Sequence, residues 1–225
     1  MKRTAPARQE QRQQTRARLV QAALHIFARQ GYDHATVEEI SLAAGYSKGA
    51  YYFHFDSKED ILLELVSIWI EDQTGRLRAV EDARGPAAVA LMEMLESLLR
   101  YDDRDPHWQF LLPEVWAQSH RNAKVRNTLQ AAYTDWIEIL GDAFDKADKE
   151  GLLSLAVRPA IAASLVLAAH DGLTLRSRLK PSSEEGQPSA PEVLNSLLGV
   201  VMAPSERAVL NPVPPTLRRT IRRKR

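Results

Sequence analysis

Residues 46–55 read YSKGAYYFHF, and the fold turns on how they are read. Five of the chain's fifteen Phe, Trp and Tyr residues fall in these ten positions. Tyr51, Tyr52 and Phe53 are consecutive, so on a helix they point in three directions and cannot all face one core. Ser47 suits the N-cap of a short helix that runs to about His54. Upstream, Thr36 and Glu39 have capping-box spacing, which starts another short helix from Val37 to Ala44, and Gly45 breaks it. Two short helices around a glycine-centred turn read as a helix-turn-helix, whose second helix enters the DNA major groove by its N-terminal end.

Within that motif Gly49 and Ala50 keep the leading end slim, so the backbone can approach base edges. Tyr51 and Phe55 are four apart and are expected to pack inward against Ile40 and Ala44. Lys48, Tyr52 and Phe53 then lie on the other side, facing DNA. A tyrosine hydroxyl can donate to phosphate, and a phenyl ring suits a thymine methyl or a sugar. His54 and Lys58 extend the phosphate-facing edge, Lys58 sitting in the first turn of the next helix. The competing reading is that the rings only hold a small three-helix domain together, and it fits Tyr51 and Phe55.

Outward from the motif the whole chain reads as all-α. Period-3.6 patterning is nearly continuous and period-two alternation is absent. The first helix is expected over 14–30, with Leu19, Ala23, Ile26 and Phe27 inward and Gly31 as its end. A long helix follows Ser57, with Ile61, Leu62, Leu65 and Trp69 on one stripe. Further helices are expected over about 86–99, 106–119, 159–179 and 191–202. The clearest pattern, from Val125 to Phe144, keeps helical spacing through Leu129, Ala132, Tyr133, Trp136 and Leu140. The stretches YDDRDP and KPSSEEGQPSAP read as loops.

Composition excludes several classes. Apolar residues make up 44%, enough for a sizeable core, and no apolar run reaches the roughly 18 residues of a membrane span. The segment MKRTAPARQEQRQQTRAR lacks the apolar stretch of a secretory signal, so a cytoplasmic location is expected. Without cysteine there are no disulfides, thiolate zinc sites or cysteine nucleophiles. The net charge of +1 hides basic ends. TLRRTIRRKR carries six positive charges, leaving −5 on the remainder. These ends either meet a polyanion or stay solvated. His170-Asp171 invites a catalytic or metal reading, but no HxxxH or HExxH pattern accompanies it, and adjacent helical side chains are not expected to share a face. No cofactor and no metal site is expected.

The stretch Thr15–Val66, and within it ALHIFARQGYDHATVEEISLAAGYSKGAYYFHFDSKEDIL, resembles the DNA-binding domain of the tetracycline-repressor (TetR) family. Phe27, Gly31-Tyr32, Thr36, Ile40, Ala43, Gly45, Ser47-Lys48-Gly49, Tyr52, Phe55, Lys58 and Leu62 carry the likeness. Tyr51 departs from it, standing where an aliphatic residue is usual, and Ala50 stands where threonine is common. The resemblance implies that Thr36, Tyr52, His54 and Lys58 touch phosphates and that Ser47, Lys48, Ala50 and Phe53 approach bases.

It also implies the organisation of the rest. A basic flexible arm (1–13) is expected before the helix-turn-helix domain (14–56). A helical ligand-binding and dimerisation domain (57–203) follows; the Pro-rich, basic tail after it (204–225) is expected to be disordered from its composition and is not explained by the resemblance. A small organic effector is expected among the middle helices. Trp69, Trp108, Phe110, Trp116, Tyr133 and Trp136 are its candidate lining, with His107, Glu114, His170 and Asp171 as polar groups. The last two long helices are expected to form the bundle of a homodimer. Leu165, Ala168, Ala169 and Gly172 would permit close approach in it, and Val193, Leu194, Leu197, Leu198 and Val201 would supply an apolar face. The function expected is a homodimeric, ligand-responsive repressor on a near-palindromic operator in the nucleoid, and not an enzyme. A TetR-type activator and a sequence-independent, architectural DNA-binding protein are the alternatives.

Overall fold

The computed structural model describes residues 5–81, 85–99, 107–176 and 190–202. The described residues form α1 (Ala5–Gln30), α2 (Val37–Ala43), α3 (Lys48–Tyr52), α4 (Lys58–Glu81), α5 (Ala87–Leu99), α6 (Trp108–Arg121), α7 (Ala123–Lys149), α8 (Pro159–Arg176) and α9 (Ala190–Val201). The only β-type pairing among them is an isolated bridge between Leu155 and Met202. The loop read at 101–106, residues 180–189 of the one read at 180–191, and the basic tail lie outside the described residues; Ala190 and Pro191, included in that second stretch, open α9 instead.

Local chemistry accounts for the short elements. Thr36 caps α2 reciprocally with Glu39: the Thr36 hydroxyl accepts from the Glu39 N–H at 3.2 Å, and the Glu39 carboxylate accepts from the Thr36 N–H at 3.0 Å. Ser47 caps α3 by accepting from the Ala50 N–H. Between these helices Gly45 takes φ 78°, and Gly31 takes φ 82° just past α1; both lie in the left-handed region that favours glycine. Asn122, which the sequence reading overlooked, starts α7 by accepting from the N–H groups of Lys124 and Val125.

The chain separates into two compact units that do not follow the 14–56 and 57–203 division. One comprises the described residues of 1–75 and 100–133, the other those of 76–99 and 134–225. In the first, α1 packs on α2 and α6, and α2 packs on α3. Its core includes Leu19, Ala23, Phe27, Ile40, Tyr51, Ile61, Leu62 and Leu65, each at most 1% exposed. Full burial of such side chains stabilises by about 1.5–3 kcal/mol each. In the second, α5, α8 and α9 pack on one another around Leu91, Leu95, Ala162, Ala163, Val166 and Val201.

One boundary needs correction. Residues 5–13, expected as part of a flexible arm, are the opening turns of α1. They are polar from Arg8 onward, so hydrophobic periodicity gave no signal, although Ala, Arg, Gln and Glu are good helix formers.

Candidate nucleic-acid interface

Tyr51 anchors α3. Its side chain is fully buried, its ring packs near Phe55 at 5.7 Å, and its hydroxyl donates to the Ser57 carbonyl at 2.9 Å. Burial pushes its pKa above the ordinary tyrosine value. With Tyr51 fixed inward, helical geometry turns the next two rings out: Tyr52 is 47% exposed and Phe53 67%. The inward and outward assignments made from the sequence for these three residues agree with the structure.

Lys48, Gly49 and Ala50 occupy the first turn of α3, with Lys48 and Gly49 exposed and Ala50 half-buried. A Cβ on Gly49 would meet only Ser47 Oγ, at an ordinary 3.7 Å, so space around this turn is free. Lys48 pairs with Glu38 of α2 and stands 5.9 Å from the Tyr52 ring centroid. The Lys48 ammonium holds the Glu38 carboxyl below its usual range.

Three expected phosphate contacts are already engaged within the chain. The Thr36 hydroxyl, besides capping α2, donates to Glu39 Oε2 at 2.9 Å. Lys58 Nζ donates to the carbonyls of Tyr32 (2.6 Å), Ala35 (2.8 Å) and Asp33 (3.3 Å), and it lies 4.4 Å from the Tyr32 ring. An ammonium has three protons, so a phosphate reaches this one only by displacing a carbonyl. Burial keeps the Lys58 pKa below the ordinary lysine value. His54 is half-buried against the Phe53 ring, at 5.2 Å. Burial, then Arg12 and Arg16, lower its pKa below the ordinary histidine value.

The sequence reading missed Arg8 and Arg12. With Gln11 and Thr15 of α1 they face Tyr46, Ala50, Phe53 and His54 across a cleft of about 340 Å³. The Arg12 guanidinium lies over the Phe53 ring at 5.2 Å. The available signal was the spacing of Arg8, Arg12 and Arg16, which share a helix face once α1 extends upstream.

This geometry is a slim helix presenting two outward aromatics among cations, which suits a nucleic-acid surface. Residues 19–65 match the family described as bacterial regulatory proteins, tetR family, and residues 87–199 match the BetI-type transcriptional repressor C-terminal family. The chain belongs to the TetR family of bacterial regulatory proteins. Its function class is regulation of transcription rather than catalysis. It is 30% identical over 192 residues to the uncharacterised HTH-type transcriptional regulator YwcC of Bacillus subtilis, covering 80% of this chain and 82% of YwcC. Two solved structures share the fold. A transcriptional regulator from Saccharomonospora viridis in complex with choline superposes with a TM-score of 0.71 at 22% identity, over 84% of this chain and 97% of that one. Salmonella enterica GusR superposes with a TM-score of 0.64 at 26% identity, over 83% and 92%.

The residues expected to line a TetR effector pocket are divided between the two units. Trp136, His170 and Asp171 belong to the second unit and the others to the first. Trp69 and Trp136 are buried in the cores. Trp116 lies 5.6 Å from Tyr133, edge to face. Trp108 lines a cleft of about 370 Å³ with Val20, Leu24, Leu65 and Ile68. His107 and Phe110 line another, of about 540 Å³, where the His107 and His25 rings are 4.2 Å apart. Glu114 is corrected from pocket group to structural link, because its carboxylate accepts the Tyr32 N–H at 3.1 Å beside the C-terminus of α1. His170 and Asp171 do share a side, with His170 Nδ1 3.2 Å from Asp171 Oδ1. Side chains leaning together bridge the angular step that separates adjacent helical positions.

On α8, Leu165, Ala168 and Gly172 are exposed and Ala169 is half-buried. With Ile161 and Leu175, also exposed, the first three form an apolar stripe at i, i+4, i+7 spacing. On α9, Val193 and Leu197 are half-buried, while Leu198 and Val201 are buried within their own unit and so are corrected from interface to core. Leu194's side chain lies outside the described residues.

Proposed function

We propose that this TetR-family regulator is a homodimeric repressor, cytoplasmic and nucleoid-associated, that a small organic effector releases from a near-palindromic operator. The observation that carries the reading is the Tyr52–Phe53 pair, held outward by the buried Tyr51 anchor next to Lys48 and Arg12. On this reading, residues 14–56 contact DNA. Ser47, Lys48, Gly49, Ala50 and Phe53 meet base edges while Tyr52 donates to phosphate. Residues 57–203 bind effector and partner. The exposed apolar stripe of α8 and the outer face of α9 supply the contact between copies, which sets the two recognition helices about one DNA turn, roughly 34 Å, apart.

The match to a BetI-type repressor domain and the choline-bound structural neighbour support an organic effector. The effector acts only by binding the operator-competent and released states unequally. Contacts in the first unit support a route for this coupling. Glu114, Gln118 and Arg121 of α6 hold Tyr32 and Asp33, in the same turn whose carbonyls Lys58 gathers.

Binding-site selection from a random duplex pool with purified protein tests the reading. Enrichment of a motif with two related half-sites is expected. Recovery of no motif overturns it in favour of sequence-independent binding.

A further inference from the structure

We infer that the opening turns of α1 are a second DNA-contacting element, in which Arg8 and Arg12 hold the phosphate backbone beside the base pairs met by α3 while Arg12 also fixes the Phe53 ring. This rests on the reading that α3 enters the major groove.

The helix supplies the geometry. Because α1 begins at Ala5, Arg8, Arg12 and Arg16 fall one turn apart along one face. The three then have different surroundings. Arg16 pairs with Glu64 of α4 and stacks over Phe55 at 5.0 Å, so it belongs to the body of the domain. Arg12 has no acidic partner among the described residues; its guanidinium rests on the exposed Phe53 ring instead. Arg8 lies on the same cleft and is exposed.

The composition of the cleft says what it accepts. One wall is Arg8, Gln11, Arg12 and Thr15; its two guanidinium forks are what it offers an anion, since the Thr15 hydroxyl donates to the Gln11 carbonyl at 3.0 Å. The other is Tyr46, Ala50, Phe53 and His54, with an apolar ring and a slim backbone. No carboxylate lines it among the described residues. An anion with a flat or apolar neighbour fits both walls, and a deoxyribose phosphate has that character. Ala50 and Phe53 belong both to this cleft and to the base-facing surface of α3, so a strand lying on α3 continues into it. His54 lies on the same cleft, where burial and, after it, Arg12 and Arg16 lower its pKa. Stacking also limits where the Phe53 ring can go, which gives Arg12 a positioning role in base preference as well as a contact of its own.

The test uses the full chain. Affinity for the selected operator and for a random duplex is measured at several salt concentrations for the wild type, for an Arg8→Gln/Arg12→Gln variant and for Arg12→Lys. The double variant is expected to bind both duplexes roughly tenfold or more weakly. Its plot of log affinity against log salt should flatten by about 1.8 per subunit, at roughly 0.9 for each phosphate that is no longer neutralised. Arg12→Lys should keep the slope but change the base preferred at one or two positions, because lysine keeps the charge without the planar stack. Circular dichroism should show wild-type helix content and melting for both. Parallel salt lines for the double variant and wild type overturn the inference, provided the wild type selects a motif. A wild type that selects no motif instead counts against the operator reading itself.

Discussion

Two regions expose large apolar side chains, and what surrounds each differs. On α3 the exposed residues are aromatic, Tyr52 and Phe53, with Lys48 and Arg12 against their rings. On α8 and α9 they are aliphatic, Ile161, Leu165, Leu175 and Val200, on helices that carry few charges. An aromatic ring among cations fits a polyanion that stacks and accepts hydrogen bonds. A charge-poor aliphatic stripe fits another apolar surface, and in the proposed dimer the matching stripe of a second copy would supply it. Exposure alone would have classed the regions together; the neighbouring charge separates them.

The sharpest way to break this comparison is to place a charge on each face of the second region. Leu198→Glu puts a carboxylate into the core of that unit, costs several kcal/mol, and should unfold the protein in thermal melts. Leu165→Glu, on the exposed stripe, should instead leave the helical spectrum intact and turn dimers into monomers in ultracentrifugation. A folded dimer of wild-type affinity in that variant moves the interface elsewhere.

In the first region the changes should read out on DNA and not on stability. Phe53→Ala should alter base preference at a few positions in each half-site, by about 1–2 kcal/mol at those positions, as expected for removing a ring from a methyl or sugar. An unchanged selected motif removes Phe53 from the base edges. Tyr52→Phe deletes only a hydroxyl and should weaken binding by about 1 kcal/mol on every sequence alike. Equal affinities in a titration at fixed salt reject its phosphate contact.

The smallest expected effect is on pH. Burial and nearby arginines hold the His54 pKa below its ordinary value in the free protein. An adjacent phosphate favours the charged form, so binding takes up a proton and affinity rises as pH falls through the ordinary histidine range, by less than about tenfold. Folding has the opposite dependence at this residue. The native state binds the proton more weakly than the unfolded chain, so its share of stability is full above the unfolded value near 6.5 and is lost as pH falls from there through the lower native value. His54→Gln should remove this component of the pH profile of affinity; an unaltered profile places the titrating group elsewhere.

The sequence by itself determined the helix-turn-helix and most helix boundaries, since short-range interactions set them. Thr36 meets Glu39 three residues on, Ser47 meets Ala50 three residues on, and Gly31 and Gly45 supply backbone conformations that other residues adopt at a cost. Buried Tyr51 and the outward Tyr52 and Phe53 follow from one and two helical steps. Tertiary structure decided what depends on distant chain. The three carbonyls around Lys58 come from residues 23–26 positions earlier, and Glu114 meets a backbone N–H 82 positions away. Neither pairing leaves a periodic trace, because a single hydrogen bond between docked helices constrains no neighbouring residue type. The α9 sequence is apolar on more than one face, so periodicity could not say that Leu198 and Val201 turn inward while Val200 stays exposed; packing against α5 and α8 made that choice. The opening turns of α1 have no apolar face at all, and only their place beside α3 gives Arg8 and Arg12 something to do.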